Sequence, residues 1–196
     1  MFNRRTFFRL GMSATAAALA VGCGPQMQAE LLSVEQITLP IPQLKPEADG
    51  LKIVVMSDFH VRTNSDLSLY EKAVELTNDL KPDIVGLLGD FVNSGPDPID
   101  SLAPILGQIR SAYGVFASMG NHEYDSNPNM IVDSLEKGGI PVLRNEGTVI
   151  GDNLLYLAAL DDVWFERHSI SRALAERPEQ LPTVLLAHEP DIADEV

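Results

Sequence analysis

Cysteine is nearly missing from this chain of 196 residues. The single one, Cys23, has no partner for an internal disulfide and cannot build a thiolate zinc site. Any metal must therefore be held by His, Asp, Glu or Asn. Positive charge is scarce as well. Lys and Arg number 14 against 28 Asp and Glu, a formal net charge of −14. That excludes the basic face a nucleic-acid partner requires. It does not exclude a phosphate substrate, because bound divalent cations reverse the local field where carboxylates converge on them. No Gly-x-x-x-x-Gly-Lys loop is present, which argues against an ATPase. Internal repeats and low-complexity runs are absent too. What is there is ordinary: 45% apolar residues, enough for one domain with a core. Most of the acids are expected to be solvated surface.

The first residues read as an address rather than a fold. Asn3-Arg4-Arg5-Thr6-Phe7-Phe8-Arg9 precedes an uncharged, mildly apolar stretch from Leu10 to Val21. That stretch falls short of the roughly 20 apolar residues a bilayer span needs. A basic start, a short apolar middle and small residues after it predict a signal peptide over residues 1–23. The arginine pair resembles the bacterial twin-arginine export signal, although Asn3 stands where Ser or Thr is usual. Cys23 follows Ala20-Val21-Gly22 and resembles a lipoprotein processing site, with Ala20 in place of the usual Leu. The expectation is an exported protein in the periplasm or on the outer face of the cell membrane, with the twin-arginine machinery as a partner and Cys23 as a membrane attachment. Residues 24–50 hold Pro25, Pro40, Pro42 and Pro46 and predict a tether with an edge strand from Ser33 to Leu39.

Residues 51–196 alternate strand and helix. Leu51–Met56, Asp83–Leu88 and Val115–Met119 are short apolar runs that predict buried strands. Asp66–Leu80 carries Leu69, Ala73, Leu76 and Leu80 at helical spacing and is stopped by Pro82. Asp97–Tyr113 presents Leu102, Leu106 and Ile109 on one face, and Asn129–Lys137 predicts a third helix. Short strands follow at Pro141–Leu143, Thr148–Ile150 and Leu154–Leu160, then a helix at Ser169–Glu176 and a buried strand at Thr183–Ala187. Asp191–Val196 reads as the start of another helix. The fold class is α/β, a layered β-sheet core flanked by helices.

Four of these strands run into polar, metal-capable groups: Ser57-Asp58-Phe59-His60, Gly89-Asp90, Gly120-Asn121-His122-Glu123 and His188-Glu189. In α/β sheets ligands bind beyond the carboxyl ends of the strands. Asp58, His60, Asp90, Asn121, His122 and His188 are thus expected on one rim. Asp58 and His60, two apart, face the same way if the segment is extended. Each signal is weak alone, but three of the four histidines fall at strand ends beside Asn or carboxylates. The fourth, His168, starts a helix elsewhere and is read as solvated.

In this order, the motifs Asp-x-His, Gly-Asp, Gly-Asn-His-Glu and a strand-end His resemble the calcineurin-like metallophosphoesterase superfamily. The resemblance covers residues 51–196 and is most specific at Gly120-Asn121-His122-Glu123. Leu143-Arg144-Asn145-Glu146, Asp161-Asp162 and Ala187-His188-Glu189-Pro190-Asp191 resemble its exported bacterial phosphodiesterase branch. The resemblance implies a metal-dependent hydrolase of phosphate esters, on lipid or other cell-envelope substrates. It implies two divalent ions, Mn²⁺, Fe or Zn²⁺, about 3.5–4 Å apart. Asp58 and His60 would bind the first, Asn121 and His188 the second, and Asp90 both. A hydroxide between them would attack phosphorus in line. His122 matches the family histidine that binds no metal and faces the leaving group as catalytic acid. The superfamily pattern continues with a Gly-His-x-His block, which these residues do not contain, so a longer form is expected to carry it. The alternative reading is a non-catalytic, surface-tethered module of the same fold.

Overall fold

The computed structural model describes residues 32–41, 44–63 and 67–195. The predicted export signal and Cys23 lie outside the described residues. The domain is built from two three-stranded sheets. In the first, β1 (Ile53–Met56), β2 (Ile84–Leu88) and β3 (Val115–Ser118) are parallel in that order. In the second, β4 (Glu146–Ile150) and β5 (Leu155–Ala159) form an antiparallel pair, and β6 (Thr183–Leu186) lies parallel to β5. The helices are α1 (Leu67–Leu80), α2 (Ile99–Leu106), α3 (Asn121–Asp125), α4 (Pro128–Lys137) and α5 (Ile170–Ala173).

Strand side chains alternate between faces, and that alternation assembles the layers. In β2, Val85 and Leu87 point to one side, where they join Leu102 and Leu106 of α2 and Ile131 and Leu135 of α4. Ile84 points to the other side and meets Leu155, Leu157 and Leu186 of the second sheet. In β5, Leu155, Leu157 and Ala159 face the first sheet, whereas Tyr156 and Ala158 pack outward with Ala173, Leu181 and Ile192. Central strands are thus buried on both faces, which is why they read as continuous apolar runs.

Several expectations change. Ser33–Leu39 forms no strand and lies exposed. β1 is an edge rather than a buried strand: it pairs with β2 alone among the described residues, and Val55 is 51% exposed. β6 is likewise only half-buried over Thr183–Leu185. The buried face of α1 is Tyr70, Val74 and Thr77, one residue round from the predicted Leu69, Ala73, Leu76 and Leu80. Polar groups can occupy that face because they are satisfied there. The Tyr70 hydroxyl donates to the Phe59 carbonyl, and Thr77 Oγ1 donates to Met56 Sδ. α2 stops at Leu106, not Tyr113, because the chain turns back. Ala112 N and Tyr113 N donate to the carbonyls of Pro82 and Asp83 at the entry to β2. Pro141–Leu143 makes a single bridge, Val142 to Ala117, instead of a strand. α5 is a single turn capped by Ser169 and ends well before Glu176, ahead of Pro178. Pro190–Asp194 is a 3₁₀ helix.

Candidate metal centre

The carboxyl ends of β1, β2, β3 and β6 converge, and the turns that leave them are stitched together by backbone hydrogen bonds. His60 N donates to the Asp90 carbonyl at 2.8 Å, and Val61 N to the Phe91 carbonyl at 3.1 Å. The Asp58–His60 segment is not extended. Asp58, His60 and Asp90 all have positive φ, at 57°, 46° and 54°. Left-handed backbone in non-glycine residues costs about 1–2 kcal/mol each. Such strain concentrates where structure is held for function. The two neighbouring glycines are required by space. A Cβ on Gly89 would lie 2.3 Å from Gly120 N, and one on Gly120 would lie 2.5 Å from Asp90 Oδ1.

Asp90 is the hub of the side chains so gathered. It is 3% exposed, and its Oδ2 lies 3.4 Å from His60 Nε2, 3.4 Å from His188 Nε2 and 4.0 Å from His122 Nε2. Asp58 Oδ1 stands 3.5 Å from His60 Nε2. The donors fall into two groups, His60–Asp90–His122 and Asp58–Asp90–His188, each with ligand atoms within 4.8 Å of one another. Asp90 is common to both, as a bridging carboxylate must be. In these groups Asp58 stands with His188, and His60 with His122, whose rings meet edge-on at 4.5 Å, while the expected pair Asp58 and His60 is also within 3.5 Å. Asn121 opens α3, half-buried, beside His122.

The donor set fits divalent metal on its chemistry. Imidazole nitrogens and carboxylate oxygens without thiolate suit Mn²⁺, Fe or Zn²⁺. Asp90, the buried member of the set, is costly as a charge unless paired or metal-bound. Two of the histidines are oriented by their other ring nitrogen, whereas His60 Nδ1 is buried without a partner. His188 Nδ1 lies 2.5 Å from the Leu88 carbonyl, and His122 Nδ1 lies 2.7 Å from the Asn93 carbonyl. In both, Nδ1–H donating to the carbonyl leaves Nε2 turned into the cluster. Burial opposes protonation of His188, but the bond to Asp90, the Leu88 carbonyl and the charge of Asp90 push its pKa up to about 9. Burial also works against the Asp90 carboxylate, yet His188 and the backbone N–H of His122 hold its pKa below the usual value.

Three supporting groups were not identified from sequence. Glu123 is fully buried and accepts hydrogen bonds from the backbone N–H groups of Gly120, Asp90 and Phe91, each at 2.8 Å. Burial raises its pKa to about 7 against the pull of those donors. Its signal was the acid closing the Gly-Asn-His-Glu block. Ser57 Oγ bonds Asp58 Oδ2 at 2.5 Å and the Leu88 carbonyl at 3.1 Å. Glu189 is buried beside Asp162, and burial and that second acid raise its pKa to about 7. His168 is not solvated: it is half-buried, with Nε2 3.9 Å from Glu195. It stays outside the centre.

Parallel strands delivering shared carboxylate and imidazole donors to one rim define an α/β protein with the frame of a metal-dependent phosphoesterase. Residues 51–195 match the calcineurin-like phosphoesterase family, and the chain belongs to it. It is 33% identical to an uncharacterized metallophosphoesterase of Aquifex aeolicus, across 74% of this chain and 55% of that protein. It is 28% identical to a transmembrane protein with metallophosphoesterase domain of Danio rerio, across 82% of this chain and 40% of that protein. It is 25% identical to the uncharacterized metallophosphoesterase YkuE of Bacillus subtilis, across 98% and 69%. The chain therefore spans about half the length of several of its curated relatives.

Proposed function

We propose that the protein hydrolyses phosphate esters with two divalent ions at the Asp90 centre. The observation that carries this reading is the sharing of Asp90 by two groups of ligand atoms. Asp58, His60, Asp90, Asn121 and His188 would hold the ions. Ions so held supply Lewis acidity, lowering the pKa of water and neutralising charge on the phosphoryl oxygens. The chain's own groups do the rest. Asp90 holds the two halves of the site in register, and Glu123 fixes the turns that carry Asp90 and Asn121. His122, oriented by the Asn93 carbonyl, turns Nε2 toward the cluster, where it would give a proton to the departing oxygen. Protein purified without chelator is expected to carry close to two transition-metal ions and to cleave nitrophenyl phosphodiesters with Mn²⁺. Asp90→Asn should lose both ions together. Elemental analysis finding none, with Mn²⁺ reconstitution also failing, would refute the reading. Two bound ions without turnover of any ester would favour the tethered, non-catalytic module.

Export is part of the same reading and rests on Arg4-Arg5 ahead of the apolar stretch. A protein that acquires its metal before crossing a membrane gains from a route that carries folded chains. Lipidation at Cys23 would then keep it at the membrane face, near lipid or envelope phosphoesters. Among the described residues no helix is long and apolar enough to cross a membrane. Replacing Arg4 and Arg5 by Lys should leave the precursor in the cytoplasm by fractionation. Normal export of the Lys-Lys protein would assign the signal to the general secretory route instead.

A further inference from the structure

Beyond the end of β5, a firmly held turn displays two aromatic rings to water. Trp164 is 70% exposed and Phe165 is 41% exposed. The turn leaves the end of β5 and is braced from within. Phe165 N donates to Asp162 Oδ1 at 2.6 Å, and Arg167 N and His168 N both donate to the Asp162 carbonyl. Asn145 clamps its far end, donating to the Arg167 carbonyl and accepting from the N–H groups of Asp161 and Ser169. Backbone satisfied to this degree holds the turn in place, and burial in the core does not account for its two rings.

The turn is tied to the centre through Tyr124, two residues beyond His122 in α3. The Tyr124 ring stacks on Phe165 at 5.5 Å with 29° between planes. Its hydroxyl donates to Asp161 Oδ1 at 2.6 Å and accepts from Arg144 Nη2 at 2.6 Å. Arg144 Nε in turn donates to Asp161 Oδ2 at 3.0 Å. The guanidinium groups of Arg144 and Arg167 each lie 5.8 Å from the Tyr124 ring centre. In a chain of net charge −14, two guanidiniums and the Phe165 ring therefore meet at Tyr124, two residues along α3 from His122.

We propose that Trp164, Phe165, Tyr124, Arg144 and Arg167 form a subsite for the part of the substrate that remains outside the metal centre, and that this part is a planar ring joined to phosphate, as in a nucleoside 5′-phosphate ester. This rests on the phosphoesterase reading and names its substrate class. Exposed rings accept a base by stacking whatever its hydrogen-bonding edge; Arg144, paired with Asp161, braces Tyr124, and the Arg167 guanidinium favours the phosphate beside the base. A membrane surface fits less well. The apolar patch is two side chains wide, Glu166 lies between Phe165 and Arg167, and the strongly acidic chain is repelled by anionic lipid.

Trp164 is the chain's one tryptophan, so its fluorescence reports the subsite without requiring turnover. The full chain with Mn²⁺ is titrated with adenosine 5′-monophosphate, with ribose 5-phosphate, and with vesicles of phosphatidylglycerol and phosphatidylethanolamine. Adenosine monophosphate is expected to quench the emission saturably, and ribose 5-phosphate to leave it unchanged. Phe165→Ala should raise the adenosine monophosphate Kd fivefold or more, at the low end of the roughly 5- to 150-fold that ring stacking contributes, and Arg167→Ala should raise it as well. Equal responses to the two phosphates, no response to either, or a blue shift with vesicles alone would each overturn the proposal. Turnover of nitrophenyl esters by the same sample is scored separately. Quenching without turnover counts against the phosphoesterase reading, and turnover without ring-selective quenching counts against the subsite.

Discussion

His122 and His188 show how one residue type takes different work from its surroundings. Both send Nδ1 to a backbone carbonyl and Nε2 toward Asp90. His188 sits at 3.4 Å, its side chain 10% exposed, where a ligand belongs. His122 stands at 4.0 Å with its side chain 29% exposed, open to a substrate oxygen. His122→Ala should therefore lower turnover by roughly 10²–10⁴-fold, the usual worth of general acid–base help, while metal content stays near wild type. Steady-state kinetics paired with elemental analysis checks this. Loss of metal in the variant would make His122 a ligand, as its grouping with His60 and Asp90 permits geometrically.

At the scale of elements, the turns after β2 and β3 carry the centre, and one buried side chain joins them. Glu123, on α3, satisfies backbone donors on both turns. Removing a buried acceptor leaves its donors unsatisfied, each costing about 1–3 kcal/mol. Glu123→Ala strands three and should destabilise the fold by more than about 3 kcal/mol in urea titration, with metal affinity falling as Asp90 loosens. Glu123→Gln keeps one acceptor oxygen and should lie between. A Glu123→Ala protein as stable as wild type would mean that water replaces the carboxylate at no cost.

For the whole molecule, the centre sets a pH dependence that metal should reverse. Glu123 and Glu189 have pKa values raised to about 7, and His188 to about 9. A group whose folded pKa is raised stabilises below its unfolded pKa and loses that contribution as pH rises through the folded value. All three act in the same direction. In chelator, the thermal midpoint should fall as pH rises from about 5 through 7 for the two acids, and on toward 9 for His188. Asp90, lowered instead, contributes above the ordinary carboxylate range and is lost only in stronger acid. Binding at His188 must displace its proton, so Mn²⁺ affinity should rise with pH toward about 9 and offset the loss. Circular-dichroism melts across that range, with and without Mn²⁺, test it. A chelated protein that grows more stable toward pH 9 would contradict the assigned shifts.

The alternation of strand and helix and the polar residues ending each strand are local properties, so sequence alone gave reason to expect Asp58, His60, Asp90, Asn121, His122 and His188 on one rim, and five of them, Asn121 aside, lie in the two groups of ligand atoms. It also identified the family through Gly120-Asn121-His122-Glu123, because spacing within a motif is preserved in the chain itself. Only the tertiary structure decided the rest. The positive φ of Asp58, His60 and Asp90 arises where the turns after β1 and β2 bond to each other, far apart in sequence. The buried face of α1 shifted by one residue because Phe59 and Met56 offered partners to Tyr70 and Thr77. Asp58 grouped with His188, 130 positions away, through the shared carboxylate of Asp90. Nothing local in the sequence marks Trp164, which the fold leaves 70% exposed. Periodicity reports which face is apolar, but pairing between distant segments sets which donors meet, and that energy has no local signature in the chain.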